Sequence, residues 1–220
     1  MEFFALLILI VVLALVARKI WRYKTLRPLL PWKYNFGKRR DTLRTTLGLL
    51  EDRGARTLVE TGIARHGLAK SKGDGASTIV FGLWASRHRA HLYSVDIDPE
   101  ATATAQKVIE AMDLQDSISV NTSDSVKYLR EFSEPVDFLY LDSYDYHRRD
   151  VEIQLASQQH HLDEFTAIEN LLHDKSVVLI DDCNLPGGGK GKLVIDYMTS
   201  HGWKVHALDY QAILVRNVAH

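Results

Sequence analysis

From about residue 41 onward, short runs of β-branched and apolar residues alternate with longer stretches of helical periodicity. This alternation is typical of a parallel α/β sheet, in which each parallel strand needs a crossover before the next one begins. Strands are predicted at residues 57–60, 91–95, 117–121, 138–141, 176–180, 204–209 and 212–216. Helices are predicted at residues 41–52, 76–86, 99–113, 124–131, 150–173 and 190–201.

The last two predicted strands are separated only by Tyr210 and Gln211, so they must form a hairpin and run antiparallel to each other. We therefore expect an α/β fold with a doubly wound, mostly parallel seven-stranded sheet whose last strand is antiparallel. Ligands of such sheets bind beyond the carboxyl ends of the strands, near the point where the strand order reverses.

Nearly every predicted strand exit carries a carboxylate. Asp and Ser are common helix caps and turn formers, which explains one or two of these positions but not five in succession. The exits read Glu60-Thr61-Gly62, Asp96-Ile97-Asp98-Pro99, Ser123-Asp124-Ser125, Asp142-Ser143 and Asp181-Asp182-Cys183-Asn184.

The first exit, Glu60-Thr61-Gly62, is followed after a loop by Asp74-Gly75-Ala76-Ser77-Thr78. On these motifs, residues 41–217 resemble the class I S-adenosylmethionine-dependent methyltransferases, and within them an O-methyltransferase-like subgroup. A glycine at the strand exit lets the backbone approach a ligand, and a helix beginning near Ser77 offers amides to a carboxylate. The resemblance implies a Rossmann-like methyltransferase fold and S-adenosylmethionine as cofactor, with Glu60, Gly62 and Ser77 among the cofactor-binding residues.

Two further cofactor contacts follow from the strand exits. An acidic residue at the end of the second strand can accept both ribose hydroxyls, and Asp96 occupies that position. In the family the third exit contacts adenine, which corresponds to Asp124; the same residue is also a natural N-cap for residues 125–131. The sequence departs from the family between Gly62 and Gly73, where Arg65, His66, Lys70 and Lys72 either cover the cofactor, meet an acceptor or form a solvated loop.

The fourth and fifth exits bring Asp142, Asp181 and Asp182 to one rim of the sheet. Three carboxylates there repel one another unless they are protonated or bridged by a cation, and a hard divalent ion prefers such oxygen ligands. The resemblance implies that these three residues hold Mg²⁺, with Asn184 as a substitute ligand. In the other interpretation, one Asp contacts the methionine moiety of the cofactor and the pair caps a turn.

Candidate catalytic residues are Asp142 and a general base. His147 is preferred as the base because it lies in the loop after the fourth strand, whereas His160 and His161 lie within a predicted helix, where a His is more often a surface or packing residue. The glycine-rich stretch 187–191 lacks the ending of a phosphate-binding loop, so we interpret it as a flexible lid.

The chain begins with an uninterrupted apolar run of 15 residues, Phe3–Ala17, followed at once by Arg18 and Lys19. A helix of this length spans about 22 Å, short of the ~30 Å hydrocarbon core, unless residues up to Trp21 extend it, with Trp21 and Tyr23 in the interface. We predict a transmembrane anchor at residues 1–22, a basic and aromatic juxtamembrane linker at 23–40, and a methyltransferase-like domain at 41–220. Residues 3–21 would contact membrane lipid.

Other interpretations of the first 40 residues are weaker or remain open. A cleaved secretory signal normally follows a positive stretch, but only Met1 and Glu2 precede this run. An interfacial helix would have a polar face, which the run lacks. The apolar linker residues either lie at the membrane interface or pack on the domain; they are Leu29, Leu30, Trp32, Tyr34 and Phe36.

The charge of the chain is unevenly distributed. Residues 1–44 carry ten basic and two acidic groups, which leaves 17 basic and 26 acidic groups, a net charge of -9, in the rest. The basic residues after the apolar run place the C-terminal domain in the cytoplasm as a single-pass protein. An acidic domain is a poor match for nucleic acid, so no nucleic-acid partner is expected.

Together these features predict a membrane-anchored, S-adenosylmethionine-dependent methyltransferase that transfers a methyl group to oxygen with Mg²⁺ assistance. The acceptor class is a small molecule, a glycan or a lipid-linked compound, since an anchor can serve either a membrane-proximal or a soluble substrate. The alternative is a non-catalytic, membrane-tethered scaffold with a methyltransferase-like fold.

Overall fold

The structure, a computed structural model, describes residues 2–22, 25–31 and 33–216; within the first segment, side chains are described for residues 4–18. The predicted interfacial side chains of Trp21 and Tyr23, and the linker residue Trp32, lie outside this description.

The centre of the molecule is one seven-stranded sheet with the strand order β3-β2-β1-β4-β5-β7-β6. Six strands run parallel, and β7 is antiparallel to both of its neighbours. The order reverses between β1 and β4, which makes their carboxyl ends the expected ligand position. The strands are β1 Thr57–Thr61, β2 His91–Asp96, β3 Ile118–Thr122, β4 Val136–Leu141, β5 Leu172–Ile180, β6 Trp203–Leu208 and β7 Ala212–Arg216.

Eight α-helices lie within the described residues. They are α1 Glu2–Arg22, α2 Arg40–Arg53, α3 Ser71–Asp74, α4 Ser77–His88, α5 Pro99–Ala111, α6 Ser125–Glu131, α7 Val151–Ile168 and α8 Lys192–Ser200. Single 3₁₀ turns occur at Gly37–Arg39, Gly67–Lys70, Glu169–Leu171 and Pro186–Gly188. All seven predicted strands and all six helices predicted after residue 40 are confirmed, as are the doubly wound sheet and its antiparallel last strand.

Alternate residues of the central strands face opposite layers of the core. Phe138 and Tyr140 of β4 pack with Phe81 of α4 on one face of the sheet. Leu139 of the same strand packs with Phe165 of α7 on the other face. Because both faces are covered, these strands are apolar throughout rather than alternating with polar residues, as is typical of parallel sheets.

The segment before α2 belongs to the folded domain. Leu26, Leu30 and Phe36 are buried in the same core layer as α2 and α4, and Tyr34 packs against it. Of the two interpretations of the linker, packing on the domain is the one that the structure shows for these residues. Leu26, Leu30 and Phe36 therefore contribute to the same core as the domain predicted at residues 41–220.

Every side chain described in α1, from residue 4 to residue 18, is exposed. The predicted transmembrane helix is not confirmed: within residues 2–22, 25–31 and 33–216, no helix is both long enough and apolar enough to cross a membrane.

Candidate functional site

A cleft of two adjoining pockets lies at the carboxyl ends of β1, β2 and β4. The first pocket, of about 310 Å³, is lined by Asp96, Asp124, Ser143, Tyr144 and His160 among others. The second pocket, of about 180 Å³, is strongly polar, and its lining includes Arg39, Ser77, Asp142, Asp182 and Lys190. Arg65 and Asp96 border both pockets, so one extended ligand can occupy the two together.

Asp96, at the end of β2, is held by two backbone amides. Its Oδ2 accepts a hydrogen bond from Ile63 N at 3.0 Å, and its Oδ1 accepts one from Asp98 N at 2.9 Å. Each oxygen retains a further lone pair, and the residue borders both pockets. A carboxylate fixed in this way is suited to accept hydrogen bonds from a pair of ligand hydroxyls.

Asp124 combines the two interpretations that the sequence left open. Its Oδ1 accepts a hydrogen bond from Lys127 N at 2.8 Å, so it is the N-cap of α6. The same side chain also lines the first pocket. The cap fixes the position of the carboxylate at the pocket wall.

His160 lines the first pocket, although the sequence predicted a surface or packing role for it. Its Nε2 lies 3.1 Å from Ser125 Oγ and 3.3 Å from Glu164 Oε1, and its ring lies 5.3 Å from that of Tyr144. Burial alone would lower the pKa of His160, but the hydrogen bond and charge of Glu164 outweigh it and raise the pKa. A flat, polar ring therefore forms one wall of this pocket.

Ser143 Oγ is buried without a hydrogen-bond partner among the described atoms, and Ser143 lines the first pocket. An unpartnered buried hydroxyl costs free energy, and a ligand that reached it would remove this cost. This observation fits a polar ligand in the cleft. Ser143 was not predicted as a site residue, although it directly follows Asp142 at the exit of β4.

Glu60 and Ser77 have different places in the site. Glu60 is fully buried behind the cleft, where Ser94 Oγ donates a hydrogen bond to its Oε2 at 2.7 Å. Burial raises the pKa of Glu60 to about 7, against the opposing hydrogen bonds of Ser77, Ser94 and Thr78. Ser77 lines the second pocket and begins α4, whose first turn has no side-chain cap. The amides of that turn can bind a ligand carboxylate.

Gly62 is required by the fold itself as well as by the cleft that it borders. Its φ is +81°, and a Cβ there would lie 2.8 Å from the carbonyl carbon of Asp142 and would overlap the carbonyl oxygen. The exits of β1 and β4 therefore approach each other so closely that only glycine fits between them.

The carboxylate at the exit of β4 pairs with a lysine. Lys190 Nζ lies 2.7 Å from Asp142 Oδ1 and 3.7 Å from Asp182 Oδ2. Tyr140 OH lies 3.2 Å from Asp142 Oδ2. Burial alone would lower the pKa of Lys190, but the charges of Asp142 and Asp182 raise it above its usual range. Lys190 is therefore an ammonium ion.

The carboxylate at the exit of β5 pairs with an arginine from far along the chain. Arg39 Nε donates to Asp181 Oδ2 at 2.7 Å, and Tyr140 OH donates to the same oxygen at 2.7 Å. Arg39 Nη2 lies 3.8 Å from Asp182 Oδ1. Burial and the charge of Asp142 raise the pKa of Asp181 to about 6, although Arg39 and Lys190 oppose that shift.

The predicted magnesium site does not fit this arrangement. Within the described parts of the chain, no group of three or more His, Cys, Asp or Glu residues is placed to hold a metal ion. The negative charges of Asp142, Asp181 and Asp182 are instead balanced by Lys190 and Arg39. The substitute ligand Asn184 is exposed to solvent. The prediction of mutual repulsion was sound, but the compensating cations are side chains.

The glycine-rich stretch positions Lys190. A Cβ at Gly189 would overlap the carbonyl oxygen of Asp182, and Lys190 N donates to that oxygen at 3.2 Å. Gln158 Nε2 donates to the carbonyl oxygens of Gly187 and Gly189, at 3.1 and 3.0 Å. These contacts tie the stretch to β5 and α7 and give it a structural role that the lid interpretation did not include.

The remaining predicted residues divide between cleft and solvent. Arg65 borders both pockets, whereas His66, Lys70 and Lys72 are exposed and are not among the described lining residues. His147 is exposed, and its backbone oxygen accepts a hydrogen bond from Gln154 Nε2 at 3.0 Å. The structure does not bring His147 to either pocket.

A sequence family described as "Methyltransferase domain" matches residues 72–183. This region extends from the segment before α4 to the exit of β5 and covers half of the chain. No curated protein sequence matches.

Solved structures of low sequence identity share the fold. A methyltransferase of Podospora anserina, PaMTH1, solved with bound SAH, is 12% identical, with a TM-score of 0.60 over 80% of this chain and 78% of its own. An O-methyltransferase of Bacillus cereus in complex with SAH is 17% identical, with a TM-score of 0.58 over 80% and 81%. A methyltransferase of Geobacter sulfurreducens is 14% identical, with a TM-score of 0.52 over 81% and 79%.

Proposed function

We propose that this chain, which belongs to the methyltransferase-domain family, transfers a methyl group from S-adenosylmethionine to an oxygen atom of its acceptor. The observation that carries this proposal is the fixed carboxylate of Asp96 at the junction of the two pockets. The residues around the cleft fit the cofactor, since Ser143 Oγ is buried without a partner and the first turn of α4 is uncapped. Bound S-adenosylmethionine supplies an electrophilic methyl group on a sulfonium.

Each part of the cleft suits one part of that cofactor. Asp96 would accept hydrogen bonds from the ribose hydroxyls. Asp124, Tyr144 and His160 would enclose the adenine in the first pocket, where two rings offer stacking surfaces. Ser77 and the uncapped first turn of α4 would bind the methionine carboxylate in the second pocket.

Lys190 would bind the acceptor oxygen. It lines the second pocket, and Asp142 accepts a short hydrogen bond from one of its three N–H groups. Another N–H can donate to a hydroxyl or alkoxide oxygen and stabilise the charge that develops as the oxygen loses its proton. Since the pKa of Lys190 is raised, it acts as a donor and not as a base.

Asp142 would be a catalytic residue because it lies beside the position proposed for the acceptor. It lines the second pocket, and its carboxylate can receive the acceptor proton while it holds Lys190 at 2.7 Å. Methyl transfer is an in-line displacement, so the main task of the pocket is to align the acceptor oxygen with the methyl group. The acceptor would be a small molecule, a glycan or a lipid-linked compound that presents a hydroxyl group.

We also propose that α1 attaches the protein to a membrane, with the domain on the cytoplasmic side. The apolar side chains of α1 from Phe4 to Val16 are exposed, and nothing described in the domain covers them. An apolar helix face of this size is stable only in an apolar surrounding. Vesicle flotation of the full chain tests attachment, and recovery of the chain in the unbound fraction would contradict it.

Calorimetric titration of the full chain in neutral detergent with S-adenosylmethionine tests the enzymatic proposal. We expect saturable binding to one site and at least about 30-fold weaker binding for Asp96→Asn, which loses charge-assisted hydrogen bonds but keeps the shape. Asp116→Asn is the matched control, because Asp116 precedes the amino end of β3 and is not among the residues that line either pocket. Absence of binding by folded wild-type protein would favour the non-catalytic, tethered scaffold instead.

A further inference from the structure

A second cavity lies away from the cleft, between α2 and α4. Its volume is about 460 Å³, and its apolar lining includes Leu26, Leu29, Leu47 and Trp84. The segment 26–29 forms one wall. This cavity, the α2–α4 groove, shares no lining residue with the two pockets of the cleft.

The groove lies at the opposite end of the sheet from the cleft. Helix α2 begins next to Arg39, which contacts Asp181 at the cleft, and the groove is lined by the later residues Leu47 and Glu51. Helix α4 begins with Ser77 in the cleft, and its last residue, His88, lines the groove. At 1.5 Å per residue, Ser77 and His88 lie about 17 Å apart along α4.

Gly48 keeps the groove open. It lies in the interior of α2, where glycine is less favourable than alanine by about 1 kcal/mol. A Cβ at Gly48 would meet nothing within 4 Å, and its φ is not in the left-handed region. The packing of the chain therefore does not require a glycine here, and the space in front of it is open to an external group.

The rim of the groove is mainly basic. Arg27, Arg44 and Arg87 are exposed at its edge, and Arg87 Nη2 donates to the backbone oxygen of Leu29 at 3.3 Å. The one acidic lining residue is Glu51, which lies 4.0 Å from His88 Nε2. An apolar floor with guanidinium groups at the edge matches a ligand with a hydrocarbon chain and a phosphate.

The position of the groove in the chain indicates the source of that ligand. Helix α1 ends at Arg22, and the groove wall begins only four residues later at Leu26. Four residues span at most about 14 Å, so the groove cannot lie far from the end of α1. If α1 is in a membrane, the groove opens at the level of the lipid headgroups.

We propose that the α2–α4 groove binds one anionic phospholipid, with an acyl chain against Leu47 and Trp84 and the phosphate at Arg44 and Arg87. This proposal rests on the proposed membrane attachment of α1. The bound lipid would give the domain a second attachment to the membrane besides α1 and so restrict its orientation.

Native mass spectrometry of the full chain in neutral detergent, with phosphatidylglycerol or phosphatidylcholine added, tests the proposal. We expect one phosphatidylglycerol per chain, bound about 10-fold or more tightly than phosphatidylcholine, because arginine–phosphate contacts are charge-assisted. Gly48→Phe, which fills the groove without disfavouring the helix, should abolish specific binding. Gly48→Ala, which adds only a methyl group, should retain most of it.

The charge of the rim is tested by Arg44→Gln combined with Arg87→Gln, with Arg148→Gln and Arg149→Gln as a control of equal charge. Only the first pair should remove the preference for phosphatidylglycerol. Three outcomes would overturn the proposal. Wild type binds both lipids equally, Gly48→Phe leaves lipid binding unchanged, or wild type is a dimer that Gly48→Phe dissociates. Flotation separates the two proposals, because Gly48→Phe should still float through α1, whereas a wild-type chain that does not float contradicts attachment itself.

Discussion

Lys190 Nζ lies 2.7 Å from Asp142 Oδ1, so a side chain of the glycine-rich stretch neutralises the carboxylate at the exit of β4. The lysine side chain is 4% exposed, and the aspartate side chain is 20% exposed. Removing one partner of such a pair leaves a poorly solvated charge, which is more costly than losing an exposed pair.

We therefore expect Lys190→Met to lower the free energy of unfolding by about 3 kcal/mol. The reason is that Asp142 and Asp182 would both lose their nearest described ammonium group. Lys192→Met is the matched control, since Lys192 pairs with Asp196 in an exposed position where the expected loss is under about 1 kcal/mol. Urea unfolding measures both. Equal losses of unfolding free energy in the two variants would show that the buried pair contributes no more to stability than the exposed pair.

The same pair predicts how the protein responds to Mg²⁺. Wild-type protein should show no rise in Tm with millimolar Mg²⁺, because Lys190 and Arg39 already balance the three carboxylates. In Lys190→Met the carboxylates lose a cation, and Mg²⁺ should then raise Tm. Differential scanning fluorimetry with and without EDTA makes the measurement. Stabilisation of the wild type by Mg²⁺ would restore the metal site predicted from the sequence.

Gly62→Ala should destabilise the protein by about 3 kcal/mol or more. A residue with a Cβ is strained at a φ of +81°, and the added carbon would overlap the backbone of Asp142. Gly73→Ala is the control, because a Cβ at Gly73 meets nothing within 4 Å and its φ is not left-handed. That variant should be as stable as wild type or slightly more stable. Similar unfolding midpoints for the two variants would refute the close approach of β1 and β4.

Glu60 predicts a pH dependence of stability. Its pKa is raised by burial from the ordinary value of 4.5 to about 7, so the folded state binds a proton more tightly than the unfolded state. The stabilisation that protonated Glu60 contributes is fully present below pH 4.5. As the pH rises toward 7 this contribution is lost, and the free energy of unfolding falls by about 3 kcal/mol in total.

Glu60→Gln should remove that loss, because glutamine stays neutral and can still accept the hydrogen bond of Ser94. The measurement is the urea midpoint of both proteins between pH 5 and pH 8. Over this range the variant should become increasingly more stable than wild type. The difference between the two proteins isolates Glu60 from Asp181, whose pKa is also raised, to about 6. Parallel stability curves would contradict the raised pKa.

The sequence predicted the strands and the main helices because their periodicities are local properties of the chain. It also placed Asp96 and Asp124 at the cleft, since strand ends follow directly from strand positions. The partners of the carboxylates at the exits of β4 and β5 were not predictable in this way. Arg39 and Asp181 are 142 positions apart, and only the fold joins them.

Lys190 was missed, and His160 was ranked below His147, for different physical reasons. Lys190 follows three glycines, and the sequence pattern alone did not show that these glycines pack against β5 and direct the lysine toward Asp142. His160 lies mid-helix, and it enters the first pocket only because α7 packs beside α6, which places its ring near Ser125. A lysine directly after a glycine run at a strand exit is a signal that could have indicated the first of these residues.

The lengths of α2 and α4 bear on which hydroxyl compounds could serve as acceptors in the proposed methyl transfer. Both helices begin at the cleft and pass the α2–α4 groove farther along. At 1.5 Å per residue, Arg44 and Arg87, where the lipid phosphate is proposed to bind, lie about 6 and 15 Å beyond the starts of α2 and α4, so the reaction centre lies outside the plane of the headgroups. Diffusible molecules, or the far end of a long lipid-linked head group, would reach it without leaving water.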